Sequence, residues 1–424
     1  MKKFVFLIAA ITMMSCSQQE MKESVPSATA DLKTKPSTRS YDDALRIAKD
    51  AIGMLENSKS TTRSNNKCRK IDLSESKVIM RDSKTRGESG DSDSLIYVFN
   101  FENDEGFALV SASKNTEGLL AITELGHCDP TKPSGIKGFD MFVDMAKDYI
   151  AYSSKQNLRD PSDTLINMNV VDSLVHLTVG PHLSVRWGDI KPEGEYFNNG
   201  IAGCTNVAMA QIMSYFNYPT QINLTYNSSG ILNLNWSSMK THHTFSHSVS
   251  YCGNATIHSM ISSLVRQIGY LNNSDDSSPD ETSTNTESYA ASTFSTLGYS
   301  TSSWYNYSKS DIQNQLNVNH LLLIKGHVSS DIGSQGHTWV VDGYRLEGTI
   351  SYVYKQYGSG PWILDEIIDN TIHYNHFNWG KYGSYNGYFS NNVFDMQLYE
   401  ELDTGTRYSS NNFKYRVKLL NVYR

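Results

Sequence analysis

The chain has 424 residues, 39% of them hydrophobic and 19% charged, and a net charge of −7. That length and apolar share exceed a single small stapled fold and suit two domains with their own cores. The acidic balance, without a long Lys/Arg block, excludes the electrostatic footprint of a nucleic-acid binder. Cys16, Cys68, Cys128, Cys204 and Cys252 are too scattered for a disulfide framework or a CxxC-type zinc site.

At the start, Lys2-Lys3, the apolar run from Phe4 to Met14 and Ser15-Cys16 form a basic region, a short hydrophobic region and a small-residue cleavage point. The run is too short to span a bilayer. It resembles the lipobox of bacterial lipoproteins, which implies that residues 1–15 are a signal peptide and that Cys16 becomes the lipidated N-terminus. Contact with a membrane is then expected only through that lipid anchor. Ser17 after the cysteine resembles outer-membrane routing, so the expected location is the cell envelope, at the outer membrane or cell surface, or free after release. Residues 16–39 are polar and aperiodic, a disordered tether.

Next, SYDDALRIAKDAIGML carries Ala44, Leu45, Ile47, Ala48, Ala51 and Ile52 at helical spacing behind a Ser-x-x-Asp start. Alternating runs either side of ENDEG, from Asp93 on, predict a β-hairpin. GFDMFVDMAKDYIAYSSKQ predicts a one-striped helix, and the segment after it, NLRDPSDTLINMN, is turn-rich. A small α+β domain is therefore expected to Thr178, with a boundary at Val179 to Pro181. Beyond it, GCTNVAMAQIMSYFNYP predicts a buried helix that ends at Pro219, and Ile257, Ile261, Leu264, Val265 and Ile268 mark a second. HLLLIKGH, HTWVVDGY, ISYVYKQYG and HFNWGKYGSYNGYFS read as strands with Gly/Asn turns, giving one helical half and one β half. NNSDDSSPDETSTN lacks the Gly and terminal Glu of a calcium loop, and THHTFSH lacks a partner ligand; both read as surface loops, and no metal or cofactor is expected.

The chemistry concentrates at Cys204, in the first turn of the buried helix. The positive end of the helix dipole stabilises a thiolate there. A nucleophilic thiol needs a base, and His337 in QGHTWVVDGY is held by a strand, with Gly336 leaving room for a substrate backbone. His320 and His327 stand in a similar run, so spacing alone leaves three histidines open. In HFNWGKYG, Asn378 could accept the imidazole N–H and Trp379 could cover that bond from water.

These three segments, in this order, resemble the core motifs of the streptopain family of papain-like cysteine peptidases, and YVFNFENDEGFALVSASKNTEGLLAITELG resembles that family's prodomain. The resemblance implies a papain-like two-part catalytic domain, a helical half and an antiparallel β half, at 179–424 and an inhibitory α+β prodomain at 40–178. It implies a zymogen of an endopeptidase acting on proteins or peptides, with its own prodomain as intramolecular inhibitor and cleavage between Thr178 and Leu183. Cys204 would be the nucleophile and His337 the general base and acid, while Asn378 and Trp379 would orient and shield His337.

Two positions depart from the family pattern. Where the family places a Gln that completes the oxyanion hole, RWGDI has Asp189, and NWGKYG has Lys381 in place of a wall aromatic. An ionised carboxylate would repel the oxyanion, and Asn198 or Asn199 would be substitute donors. A peptidase-like protein that binds peptides or inhibits a relative is therefore the alternative, and an amidase or acyl transferase with the same triad a third reading.

Overall fold

The runs SLIYVFN and FALVS do make a pair of strands, buried continuously on both faces rather than at alternate residues, and the tight turn between them bends through Asn103 and Asp104 at φ of 60° and 54°. Asn and Asp tolerate that left-handed region better than other non-glycine residues. The computed structural model describes residues 38–57, 69–80, 94–153, 167–226, 230–241, 243–246, 249–252, 254–327, 336–356, 362–394 and 415–424. Cys16, Cys68, the signal segment, nearly all of the tether and most of NLRDPSDTLINMN lie outside the described residues.

In chain order the helices are α1 (Tyr41–Asn57), α2 (Lys137–Ser153), α3 (Cys204–Phe216), α4 (Trp236–Thr241), α5 (Ala255–Leu271), α6 (Thr286–Thr296) and α7 (Lys309–Asn317). The strands before α3 are β1 (Lys77–Met80), β2 (Ser94–Asn100), β3 (Phe107–Ser111), β4 (Leu119–Thr123) and β5 (Asn167–Val179). Two hairpins follow it, β6 (Gln221–Leu224) with β7 (Gly230–Asn233) and β8 (His243–Ser246) with β9 (Val249–Cys252). THHTFSH thus contributes β8 rather than a loop, because each of its four strand residues pairs with β9. The remaining strands are β10 (Ser300–Thr301), β11 (Tyr305–Asn306), β12 (Leu321–His327), β13 (Gly336–Gln356), β14 (Trp362–Asp369), β15 (Ile372–Asn378), β16 (Gly387–Ser390) and β17 (Lys418–Tyr423).

One antiparallel sheet runs β1-β2-β3-β4-β16-β15-β13-β12-β17-β10, so the strands before α2 continue without a break into those of the C-terminal half. The join is β4 against β16, with Ile122 opposite Tyr388. Helices are interspersed with the strands along the chain, but the main sheet is antiparallel throughout its named strand pairs, an α+β arrangement as expected. The predicted first helix is α1; Ser40 Oγ accepts the Asp43 N–H at its start, and Ala44, Ala48, Ala51 and Leu55 cover one face of β2–β4. The other face, with α2, joins a core that continues through α3, α5 and β12–β17. The described residues from 38 on form one compact unit.

The junction expected at 178/179 falls at the end of β5, which pairs with β13 from Tyr344↔Val179 to Gln356↔Asn167. Beyond Glu347, where its pairing with β15 ends, β13 runs on with β5 on one edge and β14 on the other. This ribbon is largely exposed, Leu174 being 80% and Ile367 55% accessible.

Candidate active site

Cys204 opens α3, whose face toward the molecule is buried from Thr205 through Ser214. Gly203 precedes it at φ +82°, and a Cβ there would lie 2.8 Å from the Thr282 carbonyl oxygen, so glycine is required. Thr205, Thr286 and Thr338 join hydroxyls beneath the helix mouth and tie α3 to α6 and β13. Burial alone would push the Cys204 thiol up. The charge of His337, contact with its ring, and hydrogen bonds from the Thr338 main chain and the Thr205 hydroxyl outweigh that, and the thiol is lowered below its ordinary value.

Of the three histidines left open by the sequence, His337 is the one whose ring meets the Cys204 thiol, although His327 also lines the cleft. His337 stands on β13 in the cleft with Cys204, between Trp339 (ring centroids 5.9 Å) and Trp379 (6.3 Å). His327 lies across the strand pair opposite Gly336 and bonds Lys325, and His320 stacks on Tyr423 at 4.8 Å. Trp379 is fully buried among Trp339, Phe377 and Phe389 and donates its indole N–H to the Tyr385 carbonyl.

Asn378 requires a correction. The imidazole Nε2 faces the Trp379 main-chain carbonyl at 3.1 Å, not the Asn378 side chain. Asn378 ends β15 with its amide turned inward, where Nδ2 donates to the Val185 carbonyl at 3.2 Å and Oδ1 accepts the Gly380 N–H at 3.1 Å. Its side chain shapes the turn whose carbonyl meets the histidine. Sequence reasoning missed the carbonyl because a main-chain acceptor has no residue type.

The two departures from the family pattern turn out to be one. Lys381 Nζ lies 3.2 and 3.4 Å from the two Asp189 carboxylate oxygens, and both residues line the cleft with Cys204. Asp189 is therefore not the bare charge expected. Asn198 and Asn199 do not stand in as donors, because their amides are bonded to Asp276 and to Ser278, Glu281 and Thr282 of the following loop. That loop is a solvent-exposed one, as expected, and its residues 280–285 also wall the cleft, while Asp276 is held by Asn198 and Arg266.

The cleft has a volume of about 940 Å³, and residues 135–137 line it from the N-terminal part of the chain. A Cβ on Gly138 would lie 2.6 Å from His337 Cδ2 and 2.6 Å from Trp379 Cζ3, so the first turn of α2 rests directly on the histidine. Lys137 Nζ pairs with Glu281 at 2.6 Å across the cleft mouth. Away from the cleft, Glu124 beyond β4 pairs with Arg186 at 2.9 Å and faces His376, which bonds Asp342 at 2.6 Å. Asp342 inside WVVDGY and His376 inside HYNHFNW are charges in apolar strands, a signal of this network that the sequence did offer. Cys128 is buried with its thiol pushed up to about 12, chiefly by burial, which suits an inert side chain. Among the described residues no cluster of His, Cys, Asp and Glu could hold a metal ion.

A helix mouth and a strand facing each other across a cleft between a helical and an antiparallel half define the papain-like class of cysteine peptidases. Residues 184–389 match the model of the Peptidase C10 family and residues 34–150 that of the Spi protease inhibitor. The chain belongs to the peptidase C10, or streptopain, family and carries that family's inhibitor-like prodomain. No curated protein sequence matches it. Among solved structures, a mutant fragment of Prevotella intermedia prointerpain A is 17% identical, covers 82% of this chain and 98% of its own, with a TM-score of 0.49. The active wild-type interpain A cysteine protease of Prevotella intermedia is 20% identical, covers 58% of this chain and 94% of its own, with a TM-score of 0.36.

Proposed function

We propose that the protein is an exported cysteine endopeptidase made as a zymogen, with Cys204 as nucleophile and His337 as general base and acid. The observation that carries the reading is the Cys204 thiol at the mouth of α3, lowered by His337, in a cleft closed by Gly138. The thiolate attacks a peptide carbonyl, the amine leaves with a proton from His337, and water hydrolyses the thioester. The Trp379 carbonyl orients the ring through Nε2, Trp379 shields it, and Asn378 acts one step removed by fixing the turn. The Cys204 N–H, in the first helical turn and free of intrahelical duty, supplies one oxyanion donor. Export and a lipid anchor at Cys16 rest on the N-terminal motif.

The test expresses residues from Ser17 onward as wild type and as Cys204→Ala, under reducing conditions, and follows mass and casein cleavage. The wild type is expected to shed its N-terminal region and cleave casein, and the variant to do neither. If wild type trimmed by an added protease cleaves nothing and takes up no thiol-directed epoxide at Cys204, the enzyme reading fails and a peptide-binding relative replaces it.

A further inference from the structure

We propose that Lys381, held by Asp189, is the second oxyanion-hole donor, replacing the amide that the sequence lacks at position 189. The inference rests on the peptidase reading above. Attack by Cys204 forms the S–C bond and moves the carbonyl π pair onto oxygen; collapse re-forms the carbonyl and expels the amine. A donor is needed while that charge exists.

The place is built on both sides. The Asp189 main-chain carbonyl accepts the Ala202 N–H, two residues before Cys204, which fixes the carboxylate-bearing residue beside the helix mouth. On the opposite wall, Gly380 turns at φ +72° against Val207 of α3, 3.4 Å from where its Cβ would lie. Tyr382 continues that turn, accepting the Ile190 N–H at 2.6 Å and laying its ring on Gly188. Lys381 is thus clamped between two anchored segments, within the cleft that holds Cys204 and His337.

An ammonium has three N–H groups. Lys381 bonds the two Asp189 oxygens and, among the described residues, nothing else, so at least one N–H remains for the cleft. Asp189 cannot itself donate while ionised, and Asn198 and Asn199 are committed elsewhere. The carboxylate then serves to hold the cation in place and to keep the resting pair neutral. The developing oxyanion meets a positive donor instead of a bare negative charge.

The experiment compares activated wild type with Lys381→Met, Lys381→Arg, Asp189→Gln and the Asp189→Gln/Lys381→Met double variant. It measures kcat and KM on a peptide substrate and the rate of Cys204 alkylation by iodoacetamide, a displacement that forms no oxyanion. Lys381→Met should lose about 10²–10³-fold in kcat, the cost of removing one such donor, with KM and alkylation nearly unchanged. The double variant, with an amide restored at 189, should recover at least about tenfold of that loss. Wild-type kcat in Lys381→Met, a loss confined to KM, or a double variant no better than the single overturns the proposal. Where Met also slows alkylation, Lys381→Arg decides: retained kcat supports the cation's role, and a loss equal to that of Met overturns it. If wild type itself neither hydrolyses nor is alkylated, the peptidase reading falls and this inference with it; if wild type works and the variants match it, this inference alone fails.

Discussion

The N-terminal region meets the rest of the chain along a seam and at a mouth, and the two contacts differ in kind. At the seam, β4 adds to β16 as another strand, and Glu124 enters a buried set with Arg186, His376 and Asp342. At the mouth, Gly138 lies against His337 and Trp379, and Lys137 makes an exposed ion pair with Glu281. The seam has main-chain hydrogen bonds and buried charge, which hold. The mouth has a steric block against His337, which inhibits under the proposed function. A molecule built this way can lose its inhibition without losing its fold, and variants that weaken one contact alone separate the two.

The largest effect is expected at the seam. Glu124→Gln removes the carboxylate that Arg186 pairs with and leaves His376 with Asp342 alone, and breaking a buried pair costs about 3–5 kcal/mol, toward the lower figure here because Arg186 is partly exposed. Thermal unfolding of the Cys204→Ala full chain should begin several degrees lower, and alkylation of Cys204 in the uncleaved protein should speed up by about 100-fold. An unchanged melting temperature would mean that the seam does not hold.

The same set gives a pH dependence. Burial would lower the His376 imidazole, but Asp342 first and Glu124 with it raise it to about 9. A histidine raised in the folded state contributes stability that is complete below its unfolded value, about 6.5, and is lost as pH climbs through the folded one. Melting of the Cys204→Ala chain should therefore decline between about pH 6.5 and 9, and Glu124→Gln should make that decline shallower. A flat profile across that range would show that His376 is not charged in the closed form.

A smaller effect is expected at the mouth. Gly138→Leu drives a side chain into the His337 and Trp379 rings, and overpacking of this kind costs about 1–3 kcal/mol. The first turn of α2 should lift, raising Cys204 alkylation by about tenfold while the melting temperature moves less than in Glu124→Gln. A larger fall in melting temperature than in the seam variant would reverse the assignment of holding and blocking.

The sequence carried the parts with a local period or a chemical type. Apolar spacing gave α1, α2, α3 and α5, and two apolar runs split by the turn ENDEG gave the hairpin of β2 and β3. Cys204 was legible because a helix dipole acts on the residue at its own mouth. What stayed hidden depends on distant segments meeting. The Asp189 and Lys381 departures were read separately, as a lost donor and a lost aromatic, since they stand 192 positions apart, and the fold makes them one ion pair. The partner of His337 is a backbone carbonyl, which no residue type announces, and Gly138 matters for the space it leaves. β5 escaped because its pairing with β13 extends a strand beyond the core, where burial no longer imprints the pattern.

The smallest effect tests the mouth from its charged side. Lys137 and Glu281 are 2.6 Å apart, but their side chains are 39% and 40% exposed, and exposed ion pairs are worth about 0–1 kcal/mol. Lys137→Met should then quicken alkylation by at most about fivefold at low salt. At about 1 M salt, where screening reaches about 3 Å, wild type and variant should converge, because wild type has lost the same contribution. A tenfold effect that survives high salt would mean that this pair anchors α2 over the cleft as firmly as Glu124 anchors β4. Holding and blocking would then share one contact, and Gly138→Leu should unfold the region as readily as Glu124→Gln.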